Sequence, residues 1–268
     1  MFESLLIANR GEIAVRIVRA CREMGIRSVA VFSDADRRSL HVLEADEAYC
    51  VGPPPSADSY LRVDRILEVA RKAGARAVHP GYGFLAERAH FSEAVEEAGL
   101  VFVGPKPDTI RAMGDKTEAR RRMKEAGVPI VPGINRALAD PAEASEAARE
   151  VGYPVLLKAA AGGGGKGMRV VQGPGELTRS FEAAAREAQA AFGDGAVYLE
   201  RYLDAPRHVE IQVMGDRFGT VLHFGERECS IQRRHQKLLE EAPSPVLTPE
   251  LRAEMGEAAV RAAEAVDY

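Results

Sequence analysis

Cysteine is scarce in this sequence: Cys21, Cys50 and Cys229 are the three in 268 residues. An odd number of widely separated cysteines excludes a secreted disulfide framework and points to reduced thiols in a cytoplasmic compartment. Long apolar runs are also missing. No stretch approaches the roughly 18 residues of a membrane span, so no membrane partner is expected. The opening Met1-Phe2-Glu3 lacks the basic-then-apolar layout of a secretory leader. Neither sign of charge dominates, since 36 Lys and Arg against 40 Asp and Glu leave −4. That balance argues against a general nucleic-acid coat, while local basic patches stay open. Internal repeats and low-complexity tracts are absent too. What is present is a hydrophobic fraction of 46%. At this length it can build one large domain or two to three small ones without a disulfide or metal staple.

Over the first hundred residues, short apolar runs alternate with helical patterns. Ser4 to Ala8 reads as a buried strand. A helix from Glu12 to Met24 follows, with Ile13, Ile17 and Ala20 at helical spacing and Gly25 as its stop. Strands are predicted at Ser28 to Phe32, Ala48 to Val51, Ala75 to His79 and Leu100 to Val103, with helices at Leu61 to Lys72 and Phe91 to Ala98. Such alternation implies an α/β fold with a parallel sheet and helices on both faces. The texture changes after Gly104. Asp108 to Gly127 reads as one charged helix, and Pro129 with Pro132-Gly133 marks a boundary. A helix at Pro141 to Val151 comes next, then strands at Pro154 to Ala160 and Met168 to Val171. An alanine-rich helix at Glu176 to Ala191 and a strand at Val197 to Tyr202 follow. Alternating polar and apolar residues predict strands at His208 to Met214 and Thr220 to Phe224 around a Gly215-Asp216 turn. The end, Pro249 to Asp267, reads as a helix with Leu251, Met255 and Ala259 on one stripe.

The densest chemical signal is Gly162-Gly163-Gly164-Gly165-Lys166-Gly167, which holds five of the 25 glycines. Glycine lets backbone N–H groups approach a ligand closely, and a run of them can wrap a phosphate. A P-loop needs Ser or Thr after the lysine and a helix next; here Gly167 and a strand follow. The dinucleotide fingerprint also fails, because Asn9-Arg10-Gly11-Glu12 offers one glycine where three are needed. A strand–glycine loop–strand hairpin can be a lid over a triphosphate or a plain surface turn. Lys158, at the end of the apolar run Val155-Leu156-Leu157, needs a partner for its ammonium, and phosphate oxygens suit it; the alternative is a lysine that snorkels. The segment from Glu226 to Lys237 is dense in charge and reads either as a solvated loop or as a site for a small anion and a nucleotide. It lacks the aromatics of a nucleic-acid patch. His79-Pro80-Gly81-Tyr82-Gly83 ends a parallel strand, where ligands bind in open α/β sheets, but a Pro-Gly turn is also ordinary punctuation. Asp115-Lys116 fits the start of a helix with Lys116 exposed. Cys229 is either a reactive thiol or a small buried side chain.

In combination these stretches resemble the biotin carboxylases, the carboxylase subunit of acetyl-CoA carboxylase (fatty acid biosynthesis) and the equivalent domain of pyruvate and propionyl-CoA carboxylases. The matching residues are Ile7 to Ala14, His79 to Leu85, Met113 to Lys116, Gly152 to Val155, Lys158 with the glycine tract, Pro206 to Gln212 and Glu226 to Lys237. The resemblance covers the chain in order. It implies a Rossmann-like pre-ATP-grasp domain over 1–113, a helical linker over 114–130, an ATP-grasp lid subdomain over 131–203 and the start of the ATP-grasp core over 204–268. Carried over residue by residue, Lys116 and Lys158 match lysines on the ATP phosphates, and Gly164 and Gly165 match lid glycines. Glu200, Arg201, Tyr202 and Leu203 match the hinge whose backbone meets adenine. His208, Gln232 and His235 match further nucleotide contacts, and Lys237 matches a lysine assigned to bicarbonate. The implied reaction is ATP-dependent carboxylation of biotin on a biotin carboxyl carrier protein, with bicarbonate activated as carboxyphosphate. A carboxyltransferase component and a homodimer are implied as partners. In the family the core continues past the position matching Tyr268, and that continuation carries the glutamates that hold Mg²⁺ and the residues beside biotin. The expectation is therefore an incomplete ATP-grasp domain with no matched metal ligand and no biotin-dependent turnover by these 268 residues alone.

Overall fold

The computed structural model of the chain describes residues 2–134, 136–159, 168–233 and 236–268, without the side chains of Lys116, Thr117 and Phe192. The chain divides into two compact units, Met1–Asp115 with Tyr268, and Lys116–Asp267.

The first unit is built on five strands: β1 (Ser4–Ile7), β2 (Arg27–Ser33), β3 (Glu47–Gly52), β4 (Ala77–His79) and β5 (Val101–Phe102). They form one sheet in the order β3-β2-β1-β4-β5, and every neighbouring pair is parallel. The helices between them are α1 (Gly11–Met24), α2 (Leu40–Glu44), α3 (Val63–Lys72) and α4 (Ala89–Glu97); α5 (Pro107–Gly114) follows β5. Successive side chains of a strand point to opposite faces, and β1 shows what this does to the core. Leu5 and Ile7 pack with Ala14, Ile17, Val18 and Cys21 of α1. Leu6 and Ala8 pack with Ile66 and Val69 of α3 and Phe91 and Val95 of α4. Both faces are therefore covered, as the alternation implied. On α1 the buried stripe runs through Cys21, whereas Ala20 faces solvent.

The second unit begins with α6 (Lys116–Glu125). The stretch expected as a single helix from Asp108 to Gly127 is two, because Asp115 between them is extended (φ −89°, ψ 110°). Gly114 at the junction is a poor helix former, costing about 1 kcal/mol against alanine, so the break falls there. Then come α7 (Pro141–Val151), β6 (Val155–Ala159), β7 (Met168–Val171), α8 (Pro174–Phe192) and β8 (Val197–Arg201). Asp140 caps α7 by accepting from the Glu143 N–H at 2.8 Å, and the Glu143 carboxylate reaches back to the Ala139 N–H. The sheet β7-β6-β8 is antiparallel. Val155, Leu157, Val197 and Leu199 share a core with Ala144, Ala147 and Ala148 of α7 and Leu177, Phe181 and Ala184 of α8. Lys158 and Glu200 alternate with these residues and so lie on the sheet's other face.

A second antiparallel sheet follows, in the order β11-β10-β9, from β9 (Val209–Gly215), β10 (Val221–Arg233) and β11 (Gln236–Glu241). The expected short strand from Thr220 to Phe224 is thus 13 residues long, and the loop reading of the segment after Glu226 is wrong. Pairing on both edges holds this charged stretch extended. The chain ends its described elements in α9 (Pro249–Glu264), capped by Thr248 Oγ1 accepting from the Leu251 N–H at 3.2 Å. Gly256 and Ala263 are its buried positions; Leu251 of the expected stripe is exposed.

Candidate functional site

Lys158 and Glu200 come from adjacent strands. Glu200 is registered with Leu156, two residues before Lys158, so the two side chains are diagonal neighbours on one face. The Lys158 ammonium is ion-paired with Glu200 Oε2, and Arg120 of α6 donates to Oε1 at 3.0 Å. A second Arg120 nitrogen donates to the Val131 carbonyl at 2.5 Å, tying α6 to the segment before α7. Glu200 is 13% exposed, and a carboxylate this far from water needs both partners. The snorkelling reading of Lys158 therefore gives way to a paired one.

A second cluster forms on β9, β10 and β11. His208, next to β9, meets Gln232 of β10, whose Nε2 lies 3.2 Å from His208 Nδ1 and donates to the Cys229 carbonyl at 2.9 Å. Gln232 is in turn the cross-strand partner of Lys237 on β11. Lys237 donates to Glu210 Oε2, while Arg227 donates to Glu210 Oε1 at 2.7 Å and to Gln212 Oε1 at 3.0 Å. Partial burial pushes the Glu210 carboxyl up, but the hydrogen bonds from Lys237 and Arg227 outweigh it and hold it below the usual range. Its hydrogen bond to Glu210 raises the Lys237 ammonium. Cys229 is fully buried, and burial raises its thiol, with Glu210 adding to the effect. Of the two roles considered for Cys229, the small buried side chain is the one its burial fits.

Beneath this cluster, β10 buries two carboxylates. Arg252 of α9 grips Glu226 through Nε at 2.9 and 2.8 Å and Nη2 at 2.7 Å, and the Ser244 N–H donates to it at 3.0 Å. These bonds hold the Glu226 carboxyl down to about 2. Glu228 accepts from Ser230 and from Ser244 Oγ at 2.8 Å, and Ser230 Oγ itself accepts from the His208 N–H at 2.7 Å. The charged segment that opens the expected site is thus also the framework that orients His208.

Three other expected residues fall elsewhere. Arg201 and Tyr202 use their backbone N–H groups on the Pro132 and Pro154 carbonyls at 2.8 and 2.9 Å, so neither N–H is free to donate to a base. Leu203, next along the chain, is 46% exposed. Gly164, Gly165 and His235 lie outside the described residues, as does the side chain of Lys116, although Lys116 does open α6. In the first unit the His79-Pro80-Gly81-Tyr82 turn is clamped by Asn9, whose Nδ2 donates to the Pro80 and Tyr82 carbonyls at 2.8 Å each. Gly81 has φ +66°, and a Cβ there would meet Asn9 at 2.7 Å, so this turn requires glycine. Sequence reasoning assigned no role to Glu210, Arg227 or Arg120. The period-2 pattern of β9 carried the signal for Glu210, since it shares a face with His208 and Gln212; Arg120 had none.

Comparison with known proteins agrees with this architecture. Residues 115–268, more than half of the chain, match the family model for the carbamoyl-phosphate synthase L chain, ATP binding domain, and residues 1–110 match that for the biotin carboxylase N-terminal domain. A pyruvate carboxylase subunit of Methanothermobacter thermautotrophicus and biotin carboxylase 1 of Bacillus subtilis are each 58% identical to this chain over all 268 of its residues. The chain spans 55% and 60% of their respective lengths. Among solved structures, the biotin carboxylase domain of a thermophilic 2-oxoglutarate carboxylase bound to bicarbonate is 50% identical, with a TM-score of 0.93 over the whole chain and 58% of that structure. A biotin carboxylase complex with β,γ-ATP from Campylobacter jejuni is 47% identical, with a TM-score of 0.89 over the whole chain and 60% of that structure. The fold and the family match together define the class of proteins that carry this ATP binding domain. Within that class, this chain belongs to the biotin carboxylase family.

Proposed function

We propose that the protein takes part in ATP-dependent carboxylation of biotin, with bicarbonate as the carboxyl source and biotin presented by a carrier protein or domain. The observation that carries this reading is the chain of contacts that joins three segments: His208 meets Gln232, Gln232 is the cross-strand partner of Lys237, and Lys237 is seated on Glu210. A nucleotide triphosphate and bicarbonate are both anions, and cations must offset their repulsion where they meet. Lys158 and Lys237 are each held on a carboxylate that an arginine also holds. Lys158 can therefore exchange Glu200 for phosphate oxygens while Arg120 keeps Glu200 paired. Lys237 can exchange Glu210 for bicarbonate while Arg227 keeps Glu210 paired. Bicarbonate oxygen then attacks the γ-phosphorus, the bond to the β-phosphate oxygen breaks, and ADP leaves. The carboxyl of carboxyphosphate then passes to N1′ of biotin as its C–O bond to phosphate breaks, and the N1′ proton leaves with the released phosphate.

Lys116, Gly164, Gly165 and His235 are assigned to the ATP site on the family match alone, with the hinge from Glu200 to Leu203 at the base. The lid and core limits at 131–203 and 204–268 belong to the same proposal, as do a carboxyltransferase partner, a homodimer and a cytoplasmic location. The Hydrogenobacter thermophilus 2-oxoglutarate carboxylase domain, 52% identical, is a dimer holding MgADP and bicarbonate. Mg²⁺ takes oxygen ligands. The one metal-competent group among the described residues mixes imidazole, thiol and carboxylate and does not fit it, so no step is derived through Mg²⁺.

The test is ADP release by this chain joined to the continuation that its relatives carry, with bicarbonate and biotin supplied together or singly. Release that needs both supports the reading. Release driven instead by ammonia or by another carboxylate acceptor would assign the site to a different ligase of the same fold. ATP binding with no release in any mixture would make it a nucleotide-binding module.

A further inference from the structure

The strands that bring Lys237 to Glu210 also place Cys229, which the reaction above leaves unused, beside His208 and Glu210. His208 and Glu210 are two residues apart and so project to one face. Cys229 lies opposite His208 on β10: its N–H donates to the His208 carbonyl at 2.8 Å, and its thiol to the same oxygen at 3.3 Å. Cys229 shares the face of Arg227, which is registered with Glu210. One imidazole nitrogen, one carboxylate oxygen and the thiol sulfur all lie within 4.8 Å of one another. This mixed donor set selects Zn²⁺ and similar ions over Mg²⁺ or Ca²⁺. Metal–ligand distances of about 2.0–2.3 Å place tetrahedral ligand atoms roughly 3.3–3.7 Å apart, so the trio closes by about 1 Å.

A cation is already seated here, because the Lys237 ammonium rests on Glu210 Oε2. The other oxygen, Oε1, is held by Arg227, an outer partner of the kind that orients a ligating carboxylate. We propose that His208, Glu210 and Cys229 form an inhibitory site for Zn²⁺, which binds by displacing Lys237 from Glu210. On binding, the Cys229 S–H bond breaks and its proton leaves to solvent as the S–Zn bond forms. Glu210 exchanges the ammonium for the metal, and water completes four-coordination. No oxidation state changes. Two anionic ligands balance the 2+ charge, and the freed ammonium turns to solvent. Gln232, now against His208 Nδ1, shifts with the ring. Inhibition follows because the metal takes His208 and Lys237 out of service; that consequence rests on the proposed function, whereas the metal site does not.

The test titrates Co²⁺, a spectroscopic substitute for Zn²⁺, into the nucleotide-free chain. One equivalent should bind with a thiolate-to-cobalt charge-transfer absorption that added Zn²⁺ removes. Cys229→Ala should abolish the band and Cys50→Ser should keep it. His208→Ala should weaken binding at least about tenfold. Lys237→Met, which removes the competing ammonium, should tighten it about tenfold. Circular dichroism checks the fold of each variant, and His208→Ala, at an exposed position, carries the test if Cys229→Ala fails to fold. A missing band, a band that survives Cys229→Ala or His208→Ala, or an affinity unmoved by Lys237→Met would overturn the site. With no nucleotide or bicarbonate present, such a failure leaves the carboxylase reading untouched.

Discussion

Lys158 on β6 and Lys237 on β11 are each seated on a glutamate that an arginine also holds: Glu200 with Arg120 in the first case, Glu210 with Arg227 in the second. The plan is shared and the surroundings differ. Glu200 is 13% exposed and Arg120 20%, against 25% for Glu210 and 41% for Arg227. Charge pairs strengthen as water is excluded, and Arg120 also bonds the Val131 carbonyl. The first station is therefore part of what holds the second unit together, while the second is looser and better placed to rearrange. The sheets that carry them differ in the same direction. β6 and β8 bury Val155, Leu157, Val197 and Leu199 against two helices. β10 instead buries Glu226, Glu228 and Cys229, and leaves Leu222, Phe224 and Ile231 exposed.

That contrast can be broken or sharpened by substitution. The largest effect is expected for Leu157→Ala, which opens a cavity under Lys158 and should cost about 2–5 kcal/mol in chemical denaturation. Arg120→Ala should come next, at about 2 kcal/mol, because it takes a charged hydrogen bond from a largely buried carboxylate. The matching change at the other station, Arg227→Ala, should cost less than about 1 kcal/mol; equal losses from the two arginines would erase the difference between the stations. The smallest effect is a matter of pH. The folded Glu210 carboxyl lies below its ordinary value, so its contribution is complete above the usual carboxylate range and is lost as pH falls through the folded value. Glu210→Gln should therefore lower Tm slightly near neutrality and flatten the acid limb, with the difference from the parent vanishing as pH falls through the folded value.

Much of the first unit was legible in the sequence. Its strands are short apolar runs and its helices carry a clear period, as in β1 and α1, because local burial patterns suffice for a sheet covered on both faces. β10 was legible only at its start. Glu226-Arg227-Glu228 looks like a solvated loop until Arg252 and Ser244 are known to satisfy its carboxylates, and those partners lie 26 and 16 residues away in the chain. The site divides in the same way. Lys158 could be named from its place at a strand end before the glycine tract, and Gln232 and Lys237 from the family resemblance. How they are seated is set by strand register and by a helix packed from elsewhere: Glu200 was named only as a hinge residue, the period-2 pattern of β9 marked no more than the face of Glu210, and nothing local marked Arg120.

The central claim is that the two lysines serve different anions, Lys158 the nucleotide and Lys237 the bicarbonate. Calorimetric ATP affinity of the protein and of its Lys158→Ala and Lys237→Ala variants tests it most directly. Loss of a charged hydrogen bond should weaken ATP by roughly tenfold or more in Lys158→Ala, while Lys237→Ala should stay within about twofold of the parent. An affinity unchanged by Lys158→Ala, or lowered equally by both substitutions, would contradict the account.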